Sequence, residues 1–180
     1  MTAADIRPAT EADLAFITEI YDEAVRHGTA TFELIAPDLD EMRRRFAGLQ
    51  RTGFPWLVAG IQDRVVGYAY AGPYRPRPAY RFTVENSVYL HPRVRHRGIG
   101  RQLLQQLIAE SEQRGYRQMI AVIGDSANAG SIALHARCGF QIIGTHPNVG
   151  FKFGRWLDTV MMQRALGEGG STQPAEDAKA

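Results

Sequence analysis

Residues 82–110 read FTVENSVYLHPRVRHRGIGRQLLQQLIAE. The first nine have the β-rich composition of a strand, and the last ten place Leu103, Leu104, Leu107 and Ile108 on one face of a helix that ends near Gly115. Between them, and counting Arg101, the first of those ten, lie four arginines and two histidines in the eleven positions 91–101, interrupted by Gly98 and Gly100. A helix N-terminus presents free backbone N–H groups and the positive end of the helix dipole. Glycines before it let a ligand approach the backbone and present those amides to an anion. Arg95, Arg97 and Arg101 add charge around the turn, so its natural guest is a pyrophosphate. The plainer alternative is a tight turn with solvated arginines. The segment lacks the Gly-Lys-Ser/Thr pattern of a nucleoside triphosphatase. It also lacks the three-glycine fingerprint and distant acidic residue of a dinucleotide site.

The basic cluster is local, because the 180-residue chain carries a formal net charge of only +2. Non-specific nucleic-acid binding usually shows a larger excess. A nucleic-acid module using Arg43, Arg44, Arg45 and the 93–101 cluster finds no interleaved aromatics to support it. Cys138, the single cysteine, excludes an internal disulfide and a cysteine-rich zinc site, and the histidines have no metal-ligand spacing. Apolar runs fall short of the ~20 residues that cross a bilayer. The N-terminus lacks a signal peptide's basic head and apolar run, so a cytoplasmic protein without membrane or nucleic-acid partners is expected.

Around the central stretch, helices and strands alternate. Thr10 and Asp13 form a capping pair before a helix with Leu14, Ile17, Tyr21 and Val25 on one face. Pro37 and Asp38 open a second, carrying Leu39, Met42, Phe46 and Leu49. WLVAGI and VVGYAYAG flank Gln62–Arg64 as a hairpin, and RFTVENSVYL is the third strand of that sheet. MIAVI is a short buried strand. Asn128 to Cys138 is a helix capped at Gly139, and strands near 140–144 and 157–163 close the domain. This order implies an α/β mixed sheet with helices on its faces. The polar segment GEGGSTQPAEDAKA, residues 167–180, reads as a disordered tail after a domain of residues 1–166.

The run Arg95-His96-Arg97-Gly98-Ile99-Gly100 resembles the pyrophosphate loop of the GNAT acetyltransferases: Arg or Gln, two residues, Gly, one residue, then Gly or Ala. Asn128, Ser131, Leu134, His135 and Gly139-Phe140 are similar in spacing to that family's second signature, in the right order. AGPYRPRPAYRFTVENSVYLHPR, AVIGDSANAGSIALHARCGF and GFKFGRWLD resemble the phosphinothricin branch, which includes methionine sulfoximine and sulfone acetylases. The resemblance spans residues 5–165. It implies a GNAT fold, with a mostly antiparallel twisted sheet and helices on both faces. It implies acetyl-CoA as donor, the primary amine of an amino acid-like molecule as acceptor, and a homodimer; the histidine spacing leads to an expectation of no metal. A protein N-terminus or another small amine is the alternative acceptor. By the same resemblance Val88, Tyr89, Leu90, Arg95, His96, Arg97, Gly98, Ile99, Gly100, Arg101, Asn128 and Ser131 bind acetyl-CoA.

Acetyl transfer needs a neutral amine, and therefore a base. Glu85 sits mid-strand beside Val84, where an unpaired carboxylate invites explanation. Strict alternation puts Glu85, Ser87 and Tyr89 on one face, unless a bulge intervenes. A surface carboxylate on an edge strand is the plain alternative; the resemblance makes Glu85 the base, working through water. His135 stands where the wider family often has a tyrosine that protonates the leaving thiolate, and a histidine titrating near neutrality can donate or accept there. Arg75, Arg77 and Tyr80 lie in a loop stiffened by prolines, and guanidinium forks suit carboxylate, phosphinate or sulfone oxygens. These residues and Phe32 match the branch's substrate positions. Lys152 and Trp156 fit the same branch, with pocket and packing roles both open. Cys138 has no activating partner and reads as a small core residue, not a nucleophile.

Overall fold

The computed structural model describes residues 4–174. Its elements run β1 (Asp5–Pro8), α1 (Leu14–His27), α2 (Leu39–Arg51), β2 (Trp56–Ile61), β3 (Arg64–Pro73), β4 (Thr83–Leu90), α3 (Ile99–Gln113), β5 (Gln118–Gly124), α4 (Ala129–Arg137), β6 (Gln141–Lys152) and β7 (Arg155–Ala165). The strands form one sheet in the order β1-β2-β3-β4-β5-β7-β6. Every neighbouring pair is antiparallel except β4 and β5.

The helices cover both faces as expected. On one face Leu14, Ile17, Tyr21 and Val25 of α1 join Met42 and Phe46 of α2 over Trp56, Val58, Val65 and Tyr68. On the other, Leu103, Leu104, Leu107 and Ile108 of α3 pack over Leu57, Ala69, Ala71, Val84 and Met119. Local signals set the boundaries. The Thr10 amide and hydroxyl donate to Asp13 at 2.8 and 2.9 Å, and the Arg7 guanidinium grips the same carboxylate at 2.7 and 2.8 Å. The Arg7 bonds hold the Asp13 pKa down at about 2. Asp38 caps α2 by accepting from the Glu41 amide. Gln62 and Asp63, at φ of 47° and 55°, form the two-residue turn between β2 and β3, so Arg64 belongs to the strand.

The pairing of β4 with β5 positions everything that follows. It covers only Thr83–Asn86 against Gln118–Ala121. Beyond that, β4 stays bonded to β3 as far as Leu90 and β5 to β7 as far as Gly124. Their facing edges part company, leaving a gap in the middle of an otherwise continuous sheet.

Three features differ from the sequence expectation. β1 was not foreseen, being four residues long and ending on a proline. β6 runs twelve residues to Lys152, well past 144, because two irregularities, at Ile142/Gly144 and His146/Gly150, carry it past Gly144, Pro147 and Gly150. The polar segment from Gly167 begins with a turn, held where Arg117 Nε donates to the Gly169 carbonyl at 2.8 Å. The rest of that segment, 175–180, lies outside the described residues.

Candidate active site

The register of β3 on β4 is unbroken from Gly67↔Leu90 to Pro73↔Val84, so no bulge disturbs the alternation along β4. Val84, Val88 and Leu90 therefore point with Asn86 toward α3 and α4. Glu85, Ser87 and Tyr89 point toward α1 and α2, where Tyr89 stacks on Tyr68 at 5.3 Å and meets Tyr21 edge-on at 5.0 Å. Any role of Tyr89 toward a ligand thus falls to its backbone. The two catalytic candidates consequently address opposite faces of the sheet, joined by the gap.

On the α3/α4 face, His135 is 4% exposed. Its Nδ1 donates to the Ser131 carbonyl at 2.8 Å, and its Nε2 lies 3.0 Å from Asn86 Oδ1. Asn86 in turn donates from Nδ2 to the Ile120 carbonyl at 3.1 Å, across the last rung before the strands part. Burial lowers the His135 pKa, opposed by the Ser131 carbonyl. The gap itself is lined by Asn86 to Tyr89, Ala121 to Gly124, Asn128, Ser131, His135 and Ala30.

The basic turn lies on this same face. Gly98 caps α3 in the left-handed region, φ 79°, with open space where a Cβ would stand. Ile99 and Gly100 are buried; a Cβ on Gly100 would lie 3.2 Å from Leu90 and 3.4 Å from Leu134. Thus the first glycine keeps the turn open to a ligand, and the second lets α3 settle on β4 and α4. His96 also takes positive φ, 63°, and Arg95, His96, Arg97 and Arg101 are exposed. Among the described residues none of those three arginines pairs with a carboxylate, whereas Arg43, Arg44 and Arg45 are all engaged by Asp40, Glu41 or Glu33. The second cluster is therefore ion-paired on its own helix and loop. Asn128 caps α4 through the Ser131 amide at 3.2 Å.

On the α1/α2 face, burial raises the Glu85 pKa, and the nearby Arg75 opposes that shift. Arg75, Arg77 and Tyr80 are exposed on the loop after β3, where Tyr80 meets Tyr74 edge-on at 5.7 Å and Arg75 lies over the Tyr74 ring. Phe32 enters from the segment between α1 and α2 and packs over Gly124 and Gly150. The fold thus brings Glu85, Arg75 and Phe32 to one face, and His135, Asn128, Ser131 and the basic turn to the other. Cys138 is buried and its pKa raised by burial, which suits a core thiol. Among the described residues no three His, Cys, Asp or Glu gather as a metal site, and no helix is long and apolar enough to cross a membrane.

Sequence reasoning missed Asn86, Asp125 and Ala30. Asn86 carried a usable signal: an amide between Val84 and Val88 on a buried face demands partners. Asp125 carried only a local turn signal, its bond from the Ala127 amide two residues on (3.0 Å), while its bond from Arg155 (2.5 Å) joins segments 30 residues apart and has no local sign.

A sheet split between its two parallel strands, with an anion-ready helix start at its mouth, suits a thioester carrier threaded through the gap. Comparison with known proteins agrees. The family model for the acetyltransferase (GNAT) domain matches residues 6–161. The chain is 52% identical to a phosphinothricin N-acetyltransferase of Alcaligenes faecalis over 172 residues, 96% of this chain and 87% of that protein. It is 44% identical over 163 residues to an L-methionine sulfoximine/L-methionine sulfone acetyltransferase of Salmonella typhimurium, covering 91% of this chain and 95% of the relative. Among solved structures, a GNAT phosphinothricin acetyltransferase from Sinorhizobium meliloti in complex with AcCoA superimposes with a TM-score of 0.95 at 49% identity, covering 98% of this chain and 95% of that one. The chain belongs to the GNAT acetyltransferases.

Proposed function

We propose that this enzyme transfers acetyl from acetyl-CoA to the primary amine of an amino acid-like acceptor of the phosphinothricin, methionine sulfoximine or methionine sulfone type. One observation carries the reading: a gap open to both faces of the sheet, with a carboxylate on one face and a buried imidazole on the other. The domain spans residues 1–166.

Acetyl-CoA supplies an activated acyl group. The Gly98 turn and the amides opening α3 suit its diphosphate, with Arg95, Arg97 and Arg101 around them. Past Asn86 the β4 edge of Val88, Tyr89 and Leu90 has no strand partner on the β5 side, so its backbone groups are free to bond amides of an extended ligand arm. The acceptor lies on the opposite face, its acidic oxygens toward Arg75 and Arg77 and its side chain toward Phe32 and Tyr80. Glu85 takes the proton from the ammonium through water. Glu85 passes that first proton through the water to solvent. The neutral nitrogen then bonds the thioester carbonyl carbon as the C–S bond breaks, and Glu85 takes the second amine proton by the same water. The departing thiolate takes up one proton by way of His135, which draws it from solvent. Burial makes the His135 imidazolium a stronger acid than free histidine, so a proton it takes up passes readily to the departing sulfur.

A second copy of the chain completes the assembly. Ile142, Ile143, Val149, Phe151, Phe153 and Trp156 leave an apolar surface on the β6–β7 hairpin, at the unpaired edge of the sheet. Long apolar edges call for a cover. The donor is a cytoplasmic metabolite, and we assign the enzyme to that compartment.

The deciding experiment is acetyl-CoA turnover, read as free thiol, over phosphinothricin, methionine sulfoximine, methionine sulfone and the common amino acids. Turnover is expected to be fastest with the sulfone, sulfoximine or phosphinate compounds. Turnover confined to peptide N-termini or polyamines would overturn the assignment.

A further inference from the structure

Lys152, the last residue of β6, is 4% exposed. Its Nζ donates to the carbonyl of Gly28 at 2.9 Å and to that of Thr31 at 2.9 Å, and lies 5.0 Å from the centroid of the Phe153 ring. Two of the ammonium hydrogens are thus engaged by carbonyls, and among the described residues no carboxylate pairs with it. Buried lysines normally require a paired acid, and burial lowers this one's pKa, with Glu33 opposing. A buried cation spent on two loop carbonyls calls for a purpose beyond packing.

The carbonyls it holds belong to the segment leaving α1. Ala30 of that segment lines the gap between β4 and β5. Phe32 packs so closely on β6 that a Cβ on Gly150 would collide with its ring, and one on Gly124 would collide with the Thr29 carbonyl. The far side is tied down where the Tyr21 hydroxyl lies 2.9 Å from Thr31 Oγ1. The segment has no regular structure of its own between Gly28 and Asp38. Its position over the Glu85 face is set from outside, by the two glycine seats, the tyrosine and the ammonium.

We propose that Lys152 is a positioning residue for the acceptor site: it clamps residues 28–31 onto the β6–β7 hairpin and so fixes Ala30 and Phe32 as the wall that admits and selects the amine. The inference rests on the acceptor face assigned above. Lys152 touches neither substrate nor the reacting atoms. Its loss acts chiefly on the acceptor wall, because the Gly98 turn that suits the diphosphate lies on the other face of the sheet. A loosened binding wall weakens the contacts that ground state and transition state share, which reads as a raised KM with kcat little changed.

The test is Lys152→Met in the full-length enzyme, with acetyl-CoA and methionine sulfone. Backbone hydrogen exchange in residues 28–33 is expected to rise about tenfold or more. The KM for the amine is expected to rise about tenfold, with kcat and the KM for acetyl-CoA within about twofold of wild type. Selectivity between methionine sulfone and leucine is expected to shrink. Should Lys152→Met not fold, Lys152→Arg is read by the same measurements, since a planar fork cannot reproduce the tetrahedral ammonium between two carbonyls. Unchanged exchange in 28–33, or equal losses toward both substrates, overturns the proposal. A wild-type enzyme that turned over no amine would refute the activity assigned above and leave the clamp to be decided by exchange alone.

Discussion

At the scale of the residue, Glu85 carries the most testable chemistry. Burial raises its pKa and Arg75 pulls it back, so the acid limb of kcat/KM is expected above the ordinary carboxylate range. Arg75→Ala removes the restraint and should move that limb further up. Glu85→Gln keeps the shape without the base, and kcat should fall about 10²–10⁴-fold while both substrates still bind. Raising the pH should restore part of the loss, since more amine then arrives neutral. Stability moves the other way: ionising a half-buried carboxylate costs the fold as pH rises through the raised pKa, so Glu85→Gln should be no less stable than wild type at neutral pH. A pH–rate profile with a parallel urea titration checks all of this, and an unchanged profile for Glu85→Gln would move the base to His135 or solvent.

At the scale of the element, the start of α3 separates two glycines that look alike in sequence. Gly98 faces open space at φ 79°, while Gly100 faces Leu90 and Leu134. Gly98→Val should leave a folded protein, strained by about 1–2 kcal/mol in the turn, with weakened acetyl-CoA affinity. Gly100→Val should instead push α3 off β4 and α4 and cost about 1–3 kcal/mol of stability. Calorimetry with CoA and thermal melts on the two variants separate the roles. Wild-type CoA affinity in folded Gly98→Val counts against the turn as a diphosphate site.

At the scale of the whole molecule, the β6–β7 hairpin presents Phe151 and Trp156 at 57% and 61% exposure, while its Lys152 points inward to the acceptor loop. If a second copy covers that hairpin, replacing both Phe151 and Trp156 with glutamate should give a monomer by light scattering. A dimer that survives the double substitution places the interface elsewhere.

The strand, basic turn and helix of residues 82–113 were legible because each depends on local physics: alternation, helix period and the chemistry of a helix N-terminus. The cap at Thr10–Asp13 and the two-residue hairpin turn were legible for the same reason. The family followed from two motifs whose spacing survives without tertiary information. The gap was not legible, because it depends on where β4 and β5 cease to pair, and parallel partners separated by a helix carry no local sign of their register. Nor could sequence say that Glu85 and His135 stand on opposite faces, since a single bulge in β4 would have reversed the first. The full length of β6 was hidden by irregularities at Gly144 and Gly150. Only packing reveals what those allow: Gly150 is a seat for Phe32, 118 residues earlier in the chain, and Lys152 a clamp on a loop equally remote.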